Sequence, residues 1–220
     1  MRRLLMLLVL GLALACVAAP PALAGSDDEA IAEDSVLTEA DVADYGLFEE
    51  SDDEDDSPPP SGAACRDIRR ADRAANRAPS ARSAFSDGGS VLVEDRVTIL
   101  KSVKAARAVL EPYTDPSASD CVEQILEQSL QENLEPGSSY EFNGDATEID
   151  VGDGGVVYQI VVEIEDPDGN LTEVYVELGA FRVGRGFATM SVFADGAPFE
   201  GSEDLATIIA DNLERNLETS

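Results

Sequence analysis

The stretch that most constrains this chain is GVVYQIVVEIEDPDGNLTEVYVELGA, residues 155–180. Val156, Tyr158, Ile160, Val162 and Ile164 alternate with mostly polar neighbours, which is the period of a half-buried strand. Asp166-Pro167-Asp168-Gly169-Asn170 is turn chemistry, and the run that follows turns Val174, Val176 and Leu178 to the same side. An antiparallel hairpin with one apolar face follows, and that face needs a cover. Gly186–Ala194 reads as the next strand, with Gly179 and Gly184 expected to mark a bulge and a turn. The outward Gln159, Glu163, Glu165, Glu173, Tyr175 and Glu177 read as a solvated sheet surface.

Helices supply the cover. Ala64–Ala78 carries Cys65, Ile68, Ala71 and Ala75 on one stripe and is stopped by Pro79. Ser90–Leu100 alternates Val91, Val93, Val97 and Ile99 as a strand, and Ser102 then caps a short helix through Val103, Ala106 and Leu110. Ser117–Asp120 has the capping-box pattern and opens a helix over Ala118–Leu134. A last helix is expected from about Ser202 to Leu217, with Leu205, Ile208, Ile209, Leu213 and Leu217 inward. This order predicts an α+β domain: an antiparallel β-sheet of about five to six strands, with helices packed on one face and one disulfide.

The first 24 residues, MRRLLMLLVLGLALACVAAPPALA, have a basic start, a short apolar run and a small-x-small end, and read as a signal peptide cut after Ala24. No other window comes near transmembrane length. The expected location is extracellular or associated with the cell envelope. Lipidation at Cys16 is the alternative, disfavoured because Ala13-Leu14-Ala15 reverses the usual order of a lipobox. If Cys16 is removed, Cys65 and Cys121 remain in an oxidising compartment and pair most simply with each other. Between Gly25 and Pro60 there are 15 acidic residues and no basic one, so composition predicts a disordered acidic segment at 25–34 and an acidic, proline-rich loop at 49–62. Thr38–Asp41 interrupts this with a second capping box, followed by Val42, Tyr45, Leu47 and Phe48, which places the start of the domain near residue 35.

The stretches VLTEADVADYGLF, the Cys65 helix, SVLVEDRVTILKSVKAARAVL, Cys121 near a helix start, and FRVGRGFATMSVFADGAPF occur in an order that resembles secreted actinobacterial sensor-domain proteins. These are similar to the extracellular sensor domains of actinobacterial membrane serine/threonine kinases. The resemblance implies an α+β sheet with a cleft, a Cys65–Cys121 disulfide, and a ligand-sensing or binding role without established catalysis.

Charge narrows the functions further. The formal net charge is −30, which opposes binding to nucleic acid. There is no His, so the commonest general base and zinc ligand is missing. No catalytic residue, cofactor or metal site is expected: the acidic run from Asp52 to Asp56 offers no converging ligands, and Asp166, Asp168 and Asn170 lack the distal Glu of a calcium loop. Ten basic residues fall in 66–107, while 109–181 holds none against 18 acidic ones. The favoured account is internal complementarity, with the arginine helix packed near acidic neighbours such as the 49–56 loop. The sharper alternative is an anion-binding cleft using Arg69, Arg73, Arg77, Arg182 and Arg185. The leading expectation is therefore a secreted, non-enzymatic binding or sensor-type domain for a small molecule. A structural or protein-interaction component of the envelope comes second, and a hydrolase is a weak third.

Overall fold

A computed structural model of the protein describes residues 26–50 and 65–219. The expected signal peptide, Cys16 and most of the acidic loop (51–62) lie outside the described residues. Among the described residues, seven strands form one sheet in which every strand pair is antiparallel. In chain order they are β1 (Phe48–Glu49), β2 (Ser80–Ser86), β3 (Val91–Ile99), β4 (Ser139–Ile149), β5 (Gly155–Glu165), β6 (Leu171–Val183) and β7 (Gly186–Asp195), arranged spatially as β1-β2-β3-β7-β6-β5-β4. The helices are α1 (Ser26–Glu33), α2 (Glu39–Val42), α3 (Arg66–Ala75), α4 (Val103–Leu110), α5 (Ala118–Asn133) and α6 (Ser202–Glu218). Strand count and helix placement both differ from expectation.

Helices cover both faces, not one. Against the first face, α3, α4 and α5 pack Ile68, Leu110, Leu126 and Leu130 onto Tyr158, Ile160, Val162, Val174, Val176 and Phe187. Against the second, α1, α2 and α6 pack Ile31, Val42, Leu205, Ile209 and Leu213 onto Val93, Val97, Phe181, Ala188 and Met190. The reason lies in the central strands. β3 buries Val93 and Val97 on one side and Leu92 on the other, and β7 buries Phe187 and Phe193 opposite Met190 and Val192. A strand buried on both sides needs two layers of cover.

The N-terminal acidic segment, expected to be disordered, is helical at Ser26–Glu33, because Ile31 and Ala32 are buried against the second face. At α2 the backbone N–H of Thr38 donates to Asp41 Oδ2 at 2.9 Å, as the capping box requires. At α5 the expected box is not formed: Ser117 makes no side-chain capping bond, and its backbone N–H and hydroxyl donate instead to the Asp115 carboxylate, at 2.9 and 2.6 Å. The register runs unbroken through Gly179, paired with Val157 and Met190, so there is no bulge there. Gly184 does turn the chain, at φ 55°.

Candidate functional site

Two helices and the strands that feed them build a groove on the first face. Cys65, immediately before α3, is disulfide-bonded to Cys121 in the first turn of α5, with the Cα atoms 4.8 Å apart. This bond holds the start of α3 beside the end of α4, which leads into α5. At the opposite end, the N–H of Ile99 donates to Pro79 O at 2.9 Å, holding the exit of α3 beside the entry to α4. The two helices therefore run antiparallel. Facing positions are small: Ala71, Ala74 and Ala78 from the α3 side, Ala105 and Ala108 from α4. Short side chains leave the seam open, a groove of about 1000 Å³ also lined by Ile68, Ile99, Leu100 and Val109.

Charged groups rim this seam in a definite order. Arg70 and Asp67 pair at 3.0 Å, and Asp28 of α1 pairs with Arg185 at 2.6 Å. Among the described residues, Arg77 and Lys101 have no ion pair, and both sit where α3 ends and α4 begins. Glu111 and Asp115 lie at the other end. Hydrogen bonds from Ser117 hold the Asp115 carboxyl below its ordinary range, so it is ionised.

Of the five candidate anion-binding arginines, Arg77 is the one that lines the seam. Arg69 is half-buried and Arg73 exposed on other faces of α3. Arg182 is buried and donates to Asp153 Oδ2 at 2.6 Å and to Gly184 O at 3.1 Å. Arg185 donates to Leu100 O at 3.3 Å as well as to Asp28, tying the β6–β7 turn to the rim. The five are dispersed, and Lys101 joins Arg77 instead. Lys101 follows the last strand residue by only two positions and precedes the Ser102 cap, so a strand–Lys–Ser–helix junction is the signal that would have found it.

Two buried carboxyls also escaped the sequence reading. Asp72 on α3 accepts from the Tyr113 hydroxyl, and Tyr158 donates to Tyr113 O. Burial raises the Asp72 carboxyl to about 6, against the Tyr113 hydroxyl and the Arg96 charge, which lower it. Asp95 on β3 sits on the second face, accepting from the Ser83 hydroxyl and, at 3.4 Å, from the N–H of Leu37. Burial raises it to about 7 despite those two donors. Each has one carboxylate oxygen, Oδ2, buried without a hydrogen-bond partner. They lie on opposite faces of the sheet, and neither lines the seam.

The second face is bare over β4, β5 and the first half of β6. A shallow depression there is lined by Asn143, Asp145, Gln159, Val161, Tyr175 and Glu177. Glu141, Glu163 and Glu173 stand directly opposite one another across the three strands.

Among solved structures, the chain is similar to the extracellular domain of PknH from Mycobacterium tuberculosis, with a TM-score of 0.48 and 10% identity over 85% of this chain and 96% of that one. No protein-family model matches the chain. No curated protein matches it either.

Proposed function

We propose that the chain is an extracytoplasmic, non-catalytic binding domain of the sensor type, with its ligand seat in the seam between α3 and α4. The observation that carries this reading is the seam itself: about 1000 Å³, apolar along its length, charged at its ends. Small-molecule sites have this size and this division between apolar walls and a few polar groups. Export is supported by the Cys65–Cys121 bond, which persists in oxidising compartments, and by the signal-like pattern of residues 1–24. No helix among the described residues is long and apolar enough to cross a membrane.

The alternative of a flat interaction surface has less to stand on. Among the described residues, the exposed large apolar side chains are Phe48, Val103 and Leu171, on three separate elements. A hydrolase reading would need converging carboxyls in a pocket, and the two with raised pKa among the described residues, Asp72 and Asp95, are on opposite faces.

Titration with anilinonaphthalene sulfonate, an apolar body bearing one anion, tests the reading. One molecule is expected to bind per chain with a rise in fluorescence. Ala74→Trp and Ala108→Trp, at exposed positions in the seam, are each expected to weaken binding at least about tenfold, as a filled pocket requires. Unchanged binding in both variants would remove the seam as the seat.

A further inference from the structure

We infer that the seam between α3 and α4 takes a short peptide of about four small apolar residues with both ends free, its carboxylate at Arg77 and Lys101 and its amine at Glu111 and Asp115. This rests on the seam being the ligand seat and adds the class and orientation of the ligand.

Charge complementarity argues the occupant. Three of the charges that line the seam are already paired, Arg70 with Asp67 and Asp28 with Arg185 of the β6–β7 turn. Two cations are left at one end and two carboxylates at the other. The N-terminus of α4 adds its partial positive charge at the Lys101 end, and the C-terminus of the same helix adds partial negative charge at the Glu111 end. The antiparallel α3 offsets this with the opposite dipole, so the side chains set the sign at each end. A lone anion would meet only half of this arrangement. A neutral apolar molecule would leave both ends unmatched.

Length and width argue the size. The eight residues of α4 span about 12 Å at 1.5 Å per residue. An extended chain advances about 3.3 Å per residue, so about four residues reach from end to end. Walls made of Ala71, Ala74, Ala105 and Ala108 admit small side chains. Because the seam opens to solvent along its length, the peptide amides on the outer side keep their water, and burial of unpaired N–H groups is avoided.

Calorimetric titration at low salt with tetra-alanine, its N-acetyl form, its C-terminal amide and dodecanoate tests this. The free peptide is expected to bind, and blocking either end to weaken it about tenfold, the factor for losing one hydrogen bond to a charged group. Arg77→Ala with Lys101→Ala should erase the difference between acid and amide; Glu111→Gln should shrink that between amine and N-acetyl. Equal binding of all three peptide forms overturns the assignment. So does the absence of peptide binding, or tighter binding of dodecanoate, in protein that still takes anilinonaphthalene sulfonate into the seam; the binding reading then stands. If neither peptide nor dye enters, that reading falls with it.

Discussion

Asp95 sits between Val93 and Val97 on the apolar side of β3, a carboxyl in a row of valines. The alternation Val91, Val93, Val97, Ile99 was legible, but it skipped the position that breaks it. A charged residue in phase with buried apolar neighbours is the signal, and its consequence is thermodynamic. In the unfolded chain this carboxyl loses its proton near 3.8; in the fold it does so near 7. Between those values the folded state holds a proton that the unfolded state lacks, so stability rises as pH falls from 8 towards 5. Asp72, raised to about 6, acts in the same direction. Asp87 acts in the opposite one: burial raises it, but N–H groups of Val91, Ser90 and Gly89 and the Ser90 hydroxyl outweigh that and hold it at about 2, so its effect is confined to strong acid. Asp95→Asn keeps an acceptor for Ser83 and cannot ionise. Urea unfolding at pH 8 and pH 5 is expected to show wild type gaining stability at pH 5, and the variant gaining less. An equal gain in both would mean that Asp95 is not the buried titrating group.

At the level of elements, long apolar alternation was readable and edges were not. β5, β6 and β7 announce themselves by period. β2, with the sequence SARSAFS, and β4, with SYEFNGDATEI, do not: each lies at or near a sheet edge and has too few apolar residues to show one. α1 escaped for a related reason, since its acidic composition hid Ile31 and Ala32. The seam was out of reach because it depends on the pairing of α3 with α4, which no local pattern encodes. The row Glu141–Glu163–Glu173 is a consequence of register, and like charges directly opposite each other across strands are destabilising. Glu163→Lys should therefore stabilise the fold by roughly 0.5–1 kcal/mol, read as a higher urea midpoint at unchanged slope. The gain should shrink in high salt, where exposed charges are screened. No gain at low salt would show that this face does not carry the repulsion.

Across the whole molecule, one covalent link encloses both helices of the seam and the strands that join them. The segment between Cys65 and Cys121 contains α3, β2, β3 and α4, with a sequence separation of 56. Closing a loop of that length limits the unfolded chain by about 4 kcal/mol in the chain-entropy model. Replacing both cysteines by serine is expected to remove about that much, lowering the melting temperature by roughly 10 °C for a domain of this size. A change below about 1 kcal/mol would mean that packing alone holds α3 against α5. The same segment contains most of the basic residues, so fold closure and the cationic end of the seam are set by one stretch of sequence.

The most direct test of the seam as a ligand seat is to map amide chemical-shift changes during titration with anilinonaphthalene sulfonate. The largest changes are expected on both helices of the seam, at Ala71, Ala74, Ala105 and Ala108, and at Arg77 and Lys101. Changes centred on the bare face of β4–β6, or spread over the molecule without a focus, would contradict it.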